Sequence, residues 1–210
     1  MTRRLPRPRL GRTEKGDAIA SLIDLVKSQL GSGGLSAIAG QLGVGQDKAE
    51  GAVQAGLSVL TGALARNAAK PSGAASLDQA LAKDHDGSIF DKIGDFLGSA
   101  ASGPGAAILG HVLGKKQGTV TAAVGQQTGL SAQQSSSLLV TLAPLVMGAL
   151  GKMKAQQGLD ASGVAGALAT EKKQIEQSAS GGLGSLLSMV SGGGAASLLG
   201  KLMGLFGKKS

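Results

Sequence analysis

One long apolar stretch, SAQQSSSLLVTLAPLVMGALGKMKAQ at residues 131–156, decides the fold of this protein. Ser131 and Gln134 have the spacing of a capping box, in which two side chains satisfy the free N–H groups at a helix start. The leucines and valines behind them recur at helical spacing, so the stretch predicts one long helix. Pro144 lies inside it and predicts a kink, because proline lacks the N–H that the helix needs.

The same stretch also contains the longest apolar run of the chain, at residues 138–150. A helix that spans a bilayer needs about 20 apolar residues, so this run is too short. The first apolar stretch, residues 18–30, is interrupted by Asp24 and Lys27, whereas the core of a secretory signal is free of charge. These features predict a soluble, cytoplasmic protein.

The rest of the chain alternates helical patterns with Gly, Pro and Asp turns, and no stretch shows sustained strand alternation. Asp17 is the expected N-cap of a helix that ends before Gly31, and the Gly-Ser-Gly-Gly linker follows it. Asp160 is the expected N-cap of a late helix that runs to residue 169. Further helices are predicted at residues 35–42, 46–67, 74–81, 89–97, 106–113 and 119–127.

An internal repeat organises these helices. Residues 41–44 (QLGV) match residues 127–130 (QTGL), and in the same register residues 62–64 (GAL) match residues 148–150 (GAL). A common register over more than forty residues indicates two copies of one helical unit. The predicted fold class is therefore all-α and multihelical, with two similar helical repeats packed into one bundle-like domain.

Four segments follow from this pattern. Residues 1–16 predict a disordered basic arm, 17–100 the first helical repeat, 101–178 the second, and 179–210 a Gly-rich low-complexity tail. The arm holds six basic residues and one acidic residue, so it carries most of the formal net charge of +8. It is interpreted either as a contact to phosphates or anionic lipid, or as an extension without a role. Residues 198–209 predict either an amphipathic helix on a membrane or partner, or a weakly held terminal helix.

The composition limits what the core and the chemistry can be. The chain has 36 Gly, three Phe, and no Trp, Tyr or Cys. Without cysteine, disulfides, thiolate catalysis and Cys-ligated metals are excluded. A core of many small contacts predicts modest stability, close helix packing and help from oligomerisation.

The densest polar cluster is His85, Asp86, Gly87 and Ser88. Alternating oxygen ligands suggest the first half of a calcium loop, but Gly87 stands at the wrong position and no glutamate closes the loop. His85 and Asp86 suggest an acid/base pair, but no nucleophile can be assigned to them. A turn that caps the next helix is the favoured interpretation, with no metal, cofactor or catalytic residue predicted.

Two further features carry a possible interaction or structural role. Residues 110–116 (GHVLGKK) resemble a phosphate-binding loop, yet they have one residue too few between the glycines and no hydroxyl after the lysine. Gly110 is therefore interpreted as a packing glycine. His111, one helical turn from Ile108, is interpreted as a partly buried structural histidine.

Several of these segments together resemble a known family. They are His85 to Ser88, residues 108–117 (ILGHVLGKKQ), residues 128–131 (TGLS) and residues 142–150 (LAPLVMGAL). They are similar to the YidB-like family, a bacterial domain of unknown function, over residues 18–169. The resemblance implies a multihelical bacterial cytoplasmic protein and brings no active site.

Three functions remain open from the sequence. The favoured one is a non-enzymatic, self-associating or scaffold protein that binds copies of itself or another protein. The alternative is binding of nucleic acid or an anionic membrane through the basic arm and the C-terminal tail. The third is a cryptic enzyme or metal binder centred on His85 and Asp86. No small-molecule substrate is identified.

Overall fold

The computed structural model describes residues 21–100 and 103–178, and within these ranges every regular element is a helix, which confirms the all-α prediction. The predicted basic arm at 1–16 and the Gly-rich tail at 179–210 lie outside the described residues. The helices are α1 (Leu22–Leu42), α2 (Gln46–Ala68), α3 (Pro71–Asp84), α4 (Ile93–Ser99), α5 (Gly105–Leu113), α6 (Gln117–Thr128), α7 (Ala132–Gln157) and α8 (Ala161–Ser178). Short 3-10 turns at Ser88–Lys92 and Gly114–Lys116 precede α4 and α6.

The two longest helices, α7 and α2, form the centre of the bundle. α7 packs on α1, α2, α3, α5 and α6, whereas α2 also packs on α8. Leu139, Leu142 and Leu145 of α7 are fully buried, as is Leu57 of α2. The long apolar stretch at 131–156 is therefore the helix around which the others assemble.

α7 is also long and apolar enough to cross a membrane by length and composition alone. Its most apolar window is 78 % buried inside the bundle, however. The core helix of a helical bundle passes the same test, so the finding is weak evidence for a membrane span. The cytoplasmic localisation stays a prediction.

The predicted capping box starts α7. The Ser131 hydroxyl accepts the Gln134 backbone N–H at 3.2 Å, and the Gln134 side chain accepts the Ser131 N–H at 2.8 Å. Gln134 also donates its amide to the Leu42 carbonyl at 2.6 Å. The N-terminus of α7 is thus fastened to the C-terminus of α1.

α7 runs from Ala132 to Gln157 with Pro144 inside it. Pro144 has no N–H for the carbonyl of Val140, one turn earlier. The backbone of Gly105, at the start of α5, lies directly on that carbonyl, and a methyl group at this glycine would overlap the oxygen. The proline and the glycine together bring α5 close to α7. The kink predicted at Pro144 stays a prediction.

The prediction for α1 was wrong at two points. The N-cap is Ser21 rather than Asp17, because the Ser21 hydroxyl accepts the Asp24 N–H at 3.2 Å. The first helical segment does stop at Gly31 as predicted, since this residue is non-helical with a φ of 56° and separates two segments of α1, but the expected linker residues 32–34 belong to the second segment. Gly34 is buried, and a Cβ atom there would lie 2.9 Å from Leu30 Cδ2 and 3.5 Å from Leu97 Cδ1.

Other helices were placed correctly but with different ends. α3 begins at Pro71 and runs to Asp84, so it is longer than the predicted 74–81. α8 continues to Ser178 instead of ending at 169, because Glu171 and Ile175 are buried on its inner face. The Ile23 N–H of α1 donates to the buried Glu171 carboxylate at 3.4 Å. The segment predicted as a helix at 89–97 divides into the first 3-10 turn and α4.

Matching positions of the predicted repeat have matching structure at the helix ends. Gly43 ends α1 and Gly129 ends α6, with positive φ values of 64° and 68°. α2 then begins at Gln46 and α7 at Ala132, which are also matching residues. The repeat stays a prediction, but these ends favour it.

The packing of the two halves is also reciprocal. α1 packs on α7, and α6 packs on α2. Gly56 and Leu142 hold matching positions of the predicted repeat and lie close together, since a Cβ atom at Gly56 would lie 2.6 Å from Leu142 Cδ1. Contact between equivalent residues is expected near the axis of a two-fold arrangement.

Candidate functional site

The turn from His85 to Phe90 is fastened to α7 through glycines. The backbone carbonyl of His85 lies so close to Gly151 that a methyl group there would overlap it. A Cβ atom at Gly148 would lie 2.5 Å from Ile89 Cγ2. Gly87 has a φ of 98°, which lets the chain turn at this point. The turn therefore packs directly against two glycines of α7.

The predicted turn is present, but the predicted helix cap was wrong, because neither the 3-10 turn at Ser88–Lys92 nor α4 has a side-chain cap hydrogen bond. The Asp86 carboxylate accepts the Ser88 N–H at 3.0 Å. Hydrogen bonds from the Ser88 side chain and backbone hold the pKa of the Asp86 carboxyl below its usual value. Asp86, Gly87 and Ser88 thus shape the turn.

His85 emerges from this turn into a cavity of about 860 Å³. His111 of α5 lines the same cavity, so both histidines of the chain contribute to its lining. We call it the two-histidine cavity. Its other lining residues come from α2, α3, α5 and α7, and they are Leu64, Arg66, Asn67, Lys70, Ser72, Gly73, Ser76, Leu77, Ala80, Asp84, Ile108, Val112 and Met147.

The rim of the cavity is mostly basic. Arg66 and Lys70 stand at the end of α2 and directly after it, and Asp84 is the acidic residue among the lining side chains. Burial lowers the pKa of the His85 imidazole below its ordinary value of 6.5, while the carboxylates of Asp84 and Asp86 act in the opposite direction. His85 is therefore held toward its neutral form by burial.

The floor of the cavity is aliphatic. Leu64, Leu77, Val112 and Met147 lie in it, and each is at most 8 % exposed. The Asn67 amide donates to the Val112 carbonyl at 3.0 Å and so joins the end of α2 to α5. The floor belongs to the bundle core, which makes the cavity part of the fold and not a surface irregularity.

A smaller cavity of about 550 Å³ lies between α1, α2 and α8. It is lined by polar side chains that include Asp24, Gln54 and Glu171. Ser21 and Ser178, the first and last residues of the described chain, both line it.

The predicted site residues lie in three places. His85 and His111 reach the two-histidine cavity, whereas Asp86, Gly87 and Ser88 form its adjoining turn and Pro144 lies in the core. His111 is exposed and not partly buried as predicted, because α5 turns this position toward the rim. The packing role of Gly110 was wrong too, since a Cβ atom there would meet nothing within 4 Å.

Sequence reasoning did not single out Asn67 or Lys70. They flank the end of α2 in a stretch without a motif, and only the return of α3 and α5 brings them beside the histidines. Among the described residues, no three His, Cys, Asp or Glu side chains converge to hold a metal ion.

Residues 24–153 match the model of the DUF937 family, described as bacterial protein of unknown function. The chain belongs to this family. All residues that line the two-histidine cavity fall inside the matched range, so the cavity lies within the DUF937 domain. No curated protein and no solved structure matches the chain. The family agrees with the YidB-like resemblance and assigns no role to any residue.

Proposed function

We propose that this DUF937 protein is a non-enzymatic interaction module, and that the two-histidine cavity is its binding surface. The observation that carries the proposal is the cavity itself. Its volume of about 860 Å³ lies within the usual size range of ligand sites. A few polar groups lie above its aliphatic floor.

Binding is favoured over catalysis by the arrangement of the cavity side chains. Ser72 and Ser76 line the cavity together with His85 and His111. In the described part of the chain, neither serine hydroxyl is hydrogen-bonded to a histidine ring. A serine nucleophile needs such a base within hydrogen-bond reach, so the proposal assigns these residues to recognition.

The exposed surface of the described helices favours a partner that binds at the cavity rather than one that binds across a large apolar interface. Its fully exposed apolar residues are Ala, Gly and Pro, while every larger apolar side chain there is buried or half-buried. Obligate dimers need an extended apolar surface. We therefore place the interaction at the two-histidine cavity, where a second copy or another molecule can enter.

The test is capture of partners with a blocked cavity. Ser76→Trp places an indole at the cavity wall from an exposed position of α3, and Gln79→Trp places the same side chain at an exposed α3 position that does not line the cavity. Tagged wild type and both variants are exposed to a lysate of the native cell. Bound proteins and extracted small molecules are then quantified by mass spectrometry.

We expect wild type and Gln79→Trp to retain the same molecules and Ser76→Trp to lose them. Equal capture by all three proteins, or capture by none, contradicts the proposal. Light scattering over a concentration series shows whether the captured partner includes a second copy of the chain.

A second function is favoured by the position of the charge. Residues 1–16 hold six of the 21 basic residues, and one of the 13 acidic residues. Binding of this arm to nucleic acid or an anionic membrane would weaken steeply with added salt. If a protein lacking residues 1–16 and 180–210 binds DNA and anionic vesicles as well as the full chain, this second function is excluded.

A further inference from the structure

We propose that the two-histidine cavity binds an amphipathic anion, with a carboxylate or phosphate head on an apolar body. This inference rests on the proposed function, because it names the ligand class of the same cavity. It is tested with defined ligands and purified protein, so it can fail while the cavity still captures a partner from the cell.

The rim selects the charge of the ligand. Two permanent cations, Arg66 and Lys70, face the cavity against one carboxylate, Asp84. His85 and His111 add ring N–H donors to the cavity lining. A carboxylate or phosphate gains hydrogen bonds and charge attraction here, whereas an amine would face two cations.

The aliphatic floor of the cavity favours a ligand with an apolar chain. Leu64, Leu77, Ile108, Val112 and Met147 present aliphatic surface below the basic rim. An inorganic anion would contact the rim and leave this aliphatic surface in contact with water. An apolar chain removes the surface from water, which is favourable in proportion to the area covered.

The size of the cavity points the same way. A single water takes about 30 Å³ of liquid, so about 860 Å³ is far more than a small inorganic ion fills. No Phe, Tyr or Trp side chain lines the cavity, so nucleic acid would lack the large aromatic rings on which its bases usually stack. An amphiphile of moderate length suits both the volume and the lining.

The test compares ligands that share one body. Decyl phosphate, decanoate, decanol and decylamine are titrated as monomers into the full chain by calorimetry, together with inorganic phosphate. We expect both anions to bind at least ten-fold more tightly than decylamine and inorganic phosphate, with decanol between them. Equal affinity for decyl phosphate and decylamine overturns the inference.

Matched variants locate the binding. Lys70→Gln and His111→Gln remove two polar groups from exposed rim positions, and each is expected to weaken decyl phosphate binding about five-fold. Lys83→Gln makes the same charge change on α3 at an exposed residue that does not line the cavity, and it should change the affinity less than two-fold. If Lys83→Gln weakens binding as much as Lys70→Gln, the anion is not held at this rim and the inference fails.

The ligand chemistry has two sources, a free amphiphile or a lipid headgroup. Co-sedimentation with phosphatidylglycerol vesicles separates them, with Ser76→Trp as the control for binding outside the cavity. Vesicle binding that Ser76→Trp removes identifies the lipid source, and binding of monomeric decyl phosphate alone identifies a free ligand. Binding of neither overturns the inference.

Discussion

Some helix glycines of this protein have another element packed directly on them and others do not, and the local sequence does not distinguish the two kinds. Gly151 of α7 has the His85 carbonyl directly above it, whereas Gly166 of α8 has open space around its Cα. The difference depends on which element lies opposite, and no local pattern records it. This explains why Gly110 was wrongly interpreted as a packing residue.

Substitution at these two glycines has opposite expected effects. Gly151→Ala forces the His85 turn away from α7, and overpacking of this kind costs about 1–3 kcal/mol of unfolding free energy. Gly166→Ala removes only the entropic cost of a helix glycine and should add about 0.5–1 kcal/mol. Urea unfolding at equilibrium measures both. A similar change at the two positions would show that the His85 turn does not rest on α7.

The lowered pKa of His85 links stability to pH. Because the folded protein binds the proton less readily than the unfolded chain, the unfolded chain takes up protons first as the pH falls below 6.5. The unfolding free energy should therefore decrease as the pH falls below that value, until the folded histidine is protonated too. Above it, His85 contributes no pH dependence.

His85→Gln should remove this part of the pH dependence, measured as urea unfolding in a series of buffers from about pH 8 to about pH 5, the range in which histidine titrates. His111→Gln, carried through the same series, is the matched loss of an imidazole from the cavity rim. Identical pH profiles for wild type and His85→Gln would contradict the assignment.

At the scale of the element, helix starts with a specific cap were predictable and helix ends were not. Ser131 with Gln134 and Asp160 were identified from side-chain spacing, and both form the expected cap hydrogen bonds. Ser21 was missed because Asp17 offers the same capping chemistry four residues earlier. α8 was predicted too short because the burial of Glu171 depends on α1, which lies far away in sequence.

The cap of α7 gives a prediction for one element. Ser131→Ala removes the hydroxyl that accepts the Gln134 N–H, and loss of such a cap costs about 1 kcal/mol. Ser137→Ala, at an exposed position inside the same helix, improves the helix propensity slightly and serves as control. Thermal unfolding of the two variants compares them; an equal shift in Tm would mean that the cap contributes nothing.

At the scale of the whole molecule, the sequence indicated the all-α class and the long helix at 131–156, whereas the central position of this helix became evident only from its packing. The sequence also singled out His85 and His111, and both line the cavity. The cavity itself was beyond sequence reasoning. Arg66, Asn67 and Lys70 join the histidines only because α3 and α5 fold back on the end of α2.

The contact between the two halves can be tested as a pair. Gly56→Ala should cost about 1–3 kcal/mol, because the new methyl group meets Leu142. Leu142→Ala alone should cost about 2–5 kcal/mol by leaving a cavity. In the double variant the first penalty is relieved, so the combined loss should be smaller than the two single losses together. Additive losses in a double-mutant cycle would show that the halves do not meet at these residues.

Ser21 and Ser178 line the same small cavity, so the first and last residues of the described chain lie near one another. Neighbouring ends are what insertion of a domain into a host protein requires. We therefore expect that residues 21–178 can be inserted into a surface loop of an unrelated protein without separating the two ends of that loop. In such an insertion, we expect the helical bundle to retain its two-histidine cavity.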